Sequence, residues 1–402
     1  MRRELAVGCG AALLAAVGGL VGIRVVMSVG AGRVHSRADA VQSVRESEPV
    51  GKWAEAAKRA RGLVAARMAA ENVPGVSVAV GVDGDVVWAE GFGQADLDTG
   101  ARVTPGTRFR MGSASAALTS AAVGVLVDEG RLRLDDEIQR HVPQFPKKQW
   151  QVTLRQLMSH TGGLAADGGD DGPLFRKRCE AAVEAVGHFA GDALVSEPGT
   201  EYRPTQYGWV LASAAVEAAA GRPLLPFLEE RVFRPLGMRD TGAESAKEEN
   251  PEGVGEDGED APPFALVRHL VLKPLGVAAG KTRAESAPAT VYARGMGPEP
   301  NVRYGLHVRY PGNLSCYAGG MRFYSTAPDL VRFGLGMQGG RVLRAETVQA
   351  LPTGQRLGEL RGQTVASLLM LRERGMVVAV MANADTDVVG LAREVAEAFG
   401  RR

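Results

Sequence analysis

One internal stretch of the chain, residues 109–130, is apolar on almost every side when it is wound as a helix. An extended segment ends at Met111, and Gly112 predicts a turn. The helix is predicted to start at Ser113 and to end at Gly130. A helix that is apolar all round lies in the interior of a protein. We therefore expect the rest of the chain to pack around this helix.

Strands are predicted near both ends of the chain. Residues 77–82 and 85–89 are rich in β-branched side chains and flank Asp83-Gly84, which is the pattern of a hairpin. Residues 364–371 and 376–381 are two further apolar runs joined by a short polar turn. This spacing predicts a second hairpin late in the chain.

Helices account for most of the remaining pattern. Residues 53–71 predict an amphipathic helix before the first hairpin, and residues 388–399 predict a helix after the second. The region between, about residues 131–275, is predicted to be a mostly helical insertion. Its helical or turn signals lie at residues 132–142, 153–160, 174–190 and 207–220. The pattern alone predicts only a mixed α and β fold.

An uncharged apolar run, residues 5–23, precedes this pattern. A membrane-spanning helix needs about 20 such residues, and Arg2 and Arg3 favour an N-terminus inside and a body outside. We expect residues 1–29 to be an uncleaved transmembrane signal-anchor, which would hold an extracytoplasmic body at the cell membrane. A cleaved signal peptide is the alternative, and the body would then be secreted.

Two polar segments lie outside the predicted helices and strands. Residues 30–51 mix both signs of charge and predict a linker to a single domain over residues 52–402. Residues 244–260 are acidic and glycine-rich, with Val254 as their only large apolar side chain. They predict a mobile surface loop of about residues 244–262, because they bury too little apolar area to offset the entropy of ordering. Their acidic spacing matches no calcium-binding loop.

Composition narrows the classes of function. Of the 402 residues, 45% are hydrophobic and 23% are charged, which is ordinary for globular proteins, and the net charge of +1 implies no nucleic-acid partner. The three cysteines, Cys9, Cys179 and Cys316, match no metal-ligand spacing, so neither a metal nor a cofactor is predicted. Cys179 and Cys316 can pair in an oxidising compartment, but two buried free thiols are the interpretation that we favour.

The segment around Ser113 resembles the nucleophile region of the serine β-lactamase and penicillin-binding-protein superfamily. Five further motifs resemble the same superfamily in the same order: SVAVGVDGD (77–85), LRQLMSHTGGL (154–164), PGTEY (198–202), PLGM (235–238) and AGGMRFYSTAPDL (318–330). Residues 145–160, FPKKQWQVTLRQLMSH, are most similar to the mitochondrial β-lactamase-like proteins of animals and their bacterial relatives. Any one of these motifs is weak, but six in order are specific.

The resemblance implies an α+β fold of the β-lactamase/transpeptidase type. Its antiparallel sheet is built from both chain ends and flanked by helices, with a mostly helical inserted region. It also implies that Ser113 is the catalytic residue of a serine hydrolase. A serine in the first turn of a buried helix lies beside free backbone N–H groups, and the helix dipole there favours negative charge. These are the parts of an acylation site with an oxyanion hole.

Three elements of that chemistry are missing from the sequence. The superfamily has a lysine three residues after the serine, on the same helix face, and here that residue is Ala116. The superfamily carries Tyr-x-Asn or Tyr-Ser-Thr after its Pro-Gly turn, and here the aligned residues are Pro204-Thr205-Gln206. A Lys-Thr-Gly or His-x-Gly strand normally precedes the last hairpin, but residues 352–363 offer only Leu357-Gly358-Glu359 or Thr353-Gly354.

We therefore expect a decayed catalytic site. Without a base, Ser113 is expected to be a helix N-cap inherited from the family. The favoured hypothesis is a membrane-anchored, catalytically inactive protein that acts as a binding or regulatory protein of the cell envelope. Its ligand would be a β-lactam, an ester or a peptidoglycan-like compound. The alternative is an active serine hydrolase, peptidase or esterase in which Ser113 has a non-standard base such as His160.

Overall fold

The computed structural model describes residues 32–49, 51–168, 172–175, 177–244, 288–290, 292–294, 304, 306–308, 314–352, 359–361 and 365–400. The predicted signal-anchor at residues 1–29 lies outside these residues, and so does the acidic loop beyond Glu244. Within the described ranges, no helix combines the length and the apolar character that a membrane span requires.

The described residues form short and long strands with helices between them. The strands are β1 (Ser43–Arg45), β2 (Gly75–Val82), β3 (Asp85–Gly93), β4 (Phe109–Arg110), β5 (Gly242–Ala243), β6 (Tyr292–Arg294), β7 (Leu306–Val308), β8 (Phe323–Ser325), β9 (Glu359–Arg361), β10 (Ala366–Leu371) and β11 (Met376–Ala382). The helices are α1 (Ala54–Glu71), α2 (Ala116–Asp128), α3 (Leu154–Met158), α4 (Ala182–Val186), α5 (Tyr207–Ala220), α6 (Leu224–Leu228), α7 (Arg234–Leu236), α8 (Ala327–Gln338), α9 (Ala345–Ala350) and α10 (Val388–Gly400).

The main sheet joins both ends of the chain. Its order is β1-β3-β2-β11-β10-β9, and every neighbouring pair is antiparallel. The central pairing is between β2, from the first hairpin, and β11, from the last. The expectation of an antiparallel sheet assembled from both chain ends is confirmed.

The first hairpin turns where the sequence predicts. Asp83 and Gly84 connect β2 to β3, and their φ angles are 53° and 98°. Two-residue hairpin turns need positive φ at both central residues, which Asp tolerates and Gly adopts without steric cost. The Asp-Gly pair therefore fixes both the turn and the register of these two strands.

Two hydrophobic cores lie on opposite faces of the sheet. Helices α1 and α10 cover one face. Helix α8 covers the other, in a larger core that also contains α2 and α5. Within α2 the whole segment from Ala117 to Leu126 is buried, so the prediction of a buried central helix is confirmed.

Within the described residues, the four segments with predicted helical or turn signals contain helices of different length. Helix α5 and helix α3 form as expected, and α3 starts with a capping box in which Thr153 and Gln156 exchange hydrogen bonds. The predicted segment at residues 132–142 contains only a 3-10 turn, Ile138–Arg140, and the segment at 174–190 contains only α4 among its described residues. Short apolar runs pack against α2 and α5 without completing several helical turns, which the apolar pattern alone does not reveal.

The preference for free thiols at Cys179 and Cys316 is wrong. These two residues form a disulfide, with their Cα atoms 4.8 Å apart and a sequence separation of 137. Sequence spacing gives no signal for so distant a pair, because the fold alone brings the two segments together. The bond ties the start of the α4 region to a turn at Ser315–Gly320, which we call the 315–320 turn.

Candidate active site

Ser113 lies in a 3-10 turn, Gly112–Ser115, between strand β4 and helix α2. The turn is attached to β8 on both sides. The Met111 backbone N–H donates to the Phe323 carbonyl at 2.9 Å, and the Phe323 N–H donates to the Ser115 hydroxyl at 3.2 Å. Because β8 also pairs with β4, the position of Ser113 is set by a small three-stranded sheet, β4-β8-β5.

The expectation that Ser113 caps the helix is not met. The N-cap of α2 is Ser115, which is buried and holds the backbone of β8. Ser113 lies one residue inside the 3-10 turn, and its carbonyl accepts a hydrogen bond from the Ala116 N–H. A 3-10 turn and the first turn of an α-helix have similar backbone angles, so the sequence pattern does not separate them.

Ser113 and Ala116 are partly exposed, whereas their neighbours Ala114, Ser115 and Ala117 are buried. Positions three apart share one side of a helix, so the serine and the alanine open onto the same accessible surface. On this surface, the side chain at the position of the family's lysine is the methyl group of Ala116. No proton acceptor is available from residue 116.

The Pro204-Thr205-Gln206 segment precedes helix α5. Pro204 is exposed and offers no side-chain donor or acceptor. The Asp167 carboxylate accepts hydrogen bonds from the Gln206 N–H and, at 3.5 Å, from the Thr205 hydroxyl. The segment is therefore held in place by an acidic residue that sequence analysis did not single out.

The 315–320 turn connects this segment to the central helix. The Thr119 hydroxyl, on α2, donates to the Gly319 carbonyl at 2.9 Å, and the Gly319 N–H donates to the Ser213 hydroxyl, on α5, at 3.0 Å. A Cβ atom on Gly320 would lie 2.6 Å from Gln206 Oε1. The turn thus brings residues 204–206 and helix α2 to one side of the molecule. Polar residues such as Thr119 and Ser213 inside otherwise apolar helices were the available sequence signal for this network.

His160 is not arranged as a replacement base. Its Nδ1 faces the Thr205 N–H and its Nε2 faces the Trp209 indole N–H, both at 3.3 Å. A neutral imidazole has one acceptor nitrogen, so one of these donors occupies its lone pair. Burial lowers the pKa of His160, although the Thr205 backbone and Asp167 oppose this shift. The ring therefore packs as a neutral group between the Tyr202 and Trp209 rings.

Strand β9 occupies the edge of the main sheet beside the 3-10 turn of Ser113. It pairs with β10, matching Glu359 to Leu369 and Arg361 to Ser367, and it lies against the turn. The family has its Lys-Thr-Gly or His-x-Gly strand at this place in the order of the chain. The residues of β9 are Glu359-Leu360-Arg361, and not Lys-Thr-Gly. Thr353-Gly354 and Leu357-Gly358 lie outside the described residues.

The profile of the beta-lactamase family matches residues 60–399. The chain belongs to the beta-lactamase family. The match includes the sheet strands β2, β3 and β11, helix α2 and the inserted region, so the family assignment rests on most of the chain. The suspected resemblance is confirmed.

Individual relatives of this beta-lactamase family member are distant. The human mitochondrial serine beta-lactamase-like protein LACTB is 26% identical, over 42% of this chain and 43% of its own length. A D-amino acid amidase from Ochrobactrum anthropi SV3 has a similar structure, with a TM-score of 0.66 and 20% identity over 86% of this chain and 99% of the amidase. FmtA from Staphylococcus aureus has a TM-score of 0.64 and 16% identity over 89% and 92% of the two chains. The match therefore spans less than half the length of that human relative, whereas the two solved structures have a similar fold over most of this chain.

Proposed function

We propose that this beta-lactamase family protein binds a ligand of the family's chemical class at Ser113 without transferring its acyl group. One observation carries the proposal. Ser113 and Ala116 share an accessible surface, and the residue that would take the serine proton is an alanine. The accessible surface beside Ser113 is present in this chain, whereas the lysine that would act as the base is not.

The missing proton acceptors beside Ser113 support a lack of turnover. A serine hydroxyl has too high a pKa to ionise unaided near neutral pH, so it needs a neighbour that takes its proton. A positioned general base contributes about 10²–10⁴ in rate, and here Ala116 and Pro204 replace both proton-transfer partners. Ligand binding with an oxyanion hole can still leave roughly 10³–10⁴ over water, which is too little for an efficient hydrolase.

The proposed ligands are β-lactams, esters and peptidoglycan-like compounds. Proteins with this fold include an amidase that was solved with D-phenylalanine, so the architecture accommodates a small amino acid in that relative. An active serine hydrolase with Ser113 as nucleophile is the second candidate, because Ser113 is retained and accessible. The one acceptor nitrogen of a neutral His160 already faces an N–H donor, which weighs against that residue as its base.

The proposed location is the cell envelope. Residues 1–29 would anchor the chain or direct its secretion, and the body would lie outside the cytoplasm. The Cys179–Cys316 disulfide supports an oxidising compartment, since such bonds persist mainly outside the cytosol.

The proposal is tested by reversible binding of a fluorescent penicillin to the full chain, measured by fluorescence anisotropy. We expect saturable binding that is released on denaturation. Ala116→Trp should fill the surface beside Ser113 and weaken binding by about tenfold or more, which is about 1.4 kcal/mol. Ala66→Trp, on an exposed face of α1, is the matched control and should bind as the wild type does. Absence of saturable binding would refute ligand binding, and a bound label that survives denaturation would favour the second candidate.

A further inference from the structure

The disulfide has a histidine beside it. The two sulfur atoms of Cys179 and Cys316 and a ring nitrogen of His188 all lie within 4.8 Å of one another. The three residues come from separate places in the fold: a loop before α4, the 315–320 turn, and the loop after α4. Both cysteines are buried and His188 is exposed, so the cluster opens to solvent on the histidine side.

The backbone around these residues is fixed by contacts that do not involve the sulfur–sulfur bond. The Cys179 N–H donates to the Ser315 hydroxyl at 3.0 Å, which holds the two cysteine segments together. The Glu217 carboxylate, on α5, accepts from the Ala182 N–H at 2.9 Å and so fixes the start of α4. Next to His188, Phe189 stacks on Tyr207 with ring centroids 4.0 Å apart. The frame that brings the donors together therefore remains when the disulfide is opened.

We propose that the reduced form of the protein binds zinc, or a metal ion with the same preference for sulfur and imidazole ligands, through Cys179, Cys316 and His188. Zinc takes sulfur and imidazole donors at about 2.3 Å and 2.0 Å in a tetrahedron, which places the donors about 3.5–3.8 Å apart. The bonded sulfur atoms lie closer together than this, so the side chains of Cys179 and Cys316 must turn apart after reduction to bind the ion. The exposed side leaves the fourth position to a water molecule, which is the arrangement of an open zinc site.

Metal binding and the disulfide exclude each other. A phosphine reductant donates two electrons to the sulfur–sulfur bond and is itself oxidised, and with the protons of water the bond becomes two thiols. On binding, each thiol loses its proton to solvent, and the two thiolates neutralise the two charges of the metal ion. The histidine binds through a neutral ring nitrogen. The site belongs to the dithiol form alone.

The experiment compares zinc binding by the oxidised and the reduced full chain. Cys9, which lies outside the described residues, is first replaced by Ser so that only two thiols titrate after reduction. The protein is reduced with a phosphine without oxygen, mixed with Zn²⁺ and desalted, and its zinc is measured by mass spectrometry. We expect one zinc ion for each reduced chain and none for each oxidised chain. Co²⁺ in place of Zn²⁺ should show thiolate-to-cobalt charge transfer and the strong visible bands of a tetrahedral site.

A histidine variant tests the third ligand. His188→Gln should weaken zinc binding by about tenfold or more, measured in competition with a chromophoric chelator. Replacing even a residue that only hydrogen-bonds to a metal ligand lowers metal affinity by about 10–100-fold. His141→Gln is the matched control, since His141 pairs with Asp136 away from the cluster and should leave the affinity unchanged. Circular dichroism checks that both variants are folded. Failure of the reduced chain to retain zinc would overturn the proposal, as would equal zinc binding by the Cys179→Ser/Cys316→Ser double variant.

Discussion

Ala116 places a methyl group at the position where the family's chemistry needs an amine. The methyl group is much smaller than a lysine side chain, yet Ala116 still begins helix α2 one turn after Ser113. It offers no group that would take the serine proton. Pro204 removes the second partner, and its backbone neighbours are held by Asp167. Residues that act as a unit in catalysis are strongly non-additive, so restoring one of them does not restore the site.

Gly319 connects helix α2 to helix α5, because its carbonyl accepts from Thr119 and its N–H donates to Ser213. A Cβ atom there would lie 1.9 Å from Thr119 Oγ1 and 2.7 Å from Ser213 Oγ. Gly319→Ala should therefore lower the free energy of unfolding by about 1–3 kcal/mol, the usual cost of overpacking. Gly62→Ala, on the exposed face of α1 with no atom within 4 Å, should instead stabilise by about 0.5–1 kcal/mol. Urea unfolding of both variants measures this, and a Gly319→Ala protein as stable as the wild type would contradict the packing described.

Among the elements, the two hairpins of the main sheet and helices α1, α2, α5 and α10 follow from the sequence, and the site does not. The hairpin at Asp83-Gly84 and helix α5 are encoded by local pattern, since turn chemistry and apolar periodicity act over a few residues. The Cys179–Cys316 bond and the contacts of Asp167 with residues 205–206 depend on segments far apart in the chain. Strand β9 is short and polar, and its pairing with β10 makes it a strand.

Strand β3 is held to its neighbours by a buried carboxylate. Glu90 is fully buried and accepts from both Nε and Nη2 of Arg61, on α1, at 2.8 and 3.0 Å, and from the Trp88 indole at 3.0 Å. Burial opposes its ionisation, but these hydrogen bonds prevail and hold the pKa of Glu90 below its ordinary value. The carboxylate thus joins helix α1 to the sheet as a charged group.

Replacing Glu90 should therefore have a pH-dependent cost. Glu90→Gln leaves Arg61 without its buried partner and should lower the free energy of unfolding by about 3 kcal/mol at pH 7. Because the folded pKa is depressed, this contribution is fully present above the ordinary carboxyl pKa of about 4.3 and is lost as the pH falls through the folded value. Urea unfolding between pH 7 and about pH 3.5 should show the difference shrinking. Glu48→Gln, an exposed partner of the same arginine, should cost less than about 1 kcal/mol. An equal cost for Glu90→Gln at both pH values would contradict the assignment.

For the whole molecule, the main sheet brings distant segments of the chain together, because β2 pairs with β11. The Cys179–Cys316 disulfide joins two residues with a sequence separation of 137. It links the inserted region to the 315–320 turn. Disulfides persist mainly outside the cytosol, so this bond is compatible with the location that we propose from the apolar run at residues 5–23.

The location follows as a prediction for the whole chain. The arginines before the apolar run favour a cytoplasmic N-terminus, so a reporter fused after Arg402 should be active only outside the cytoplasm. Replacing residues 5–23 by a polar linker should abolish that activity. Reporter activity in the cytoplasm would contradict the topology, and a mature chain that begins near Ala31 would favour secretion over anchoring.

Covalent labelling measures directly whether Ser113 forms an acyl-enzyme. The full chain is incubated with a fluorescent penicillin, and separately with a general ester substrate, and its intact mass is measured over time. We expect no adduct on the wild type or on Ala116→Lys, and ester hydrolysis that is unchanged in Ser113→Ala and in the surface control Ser47→Ala. Stoichiometric labelling that disappears in Ser113→Ala but persists in Ser47→Ala would show that Ser113 is a working nucleophile, which would contradict the proposed lack of acyl transfer.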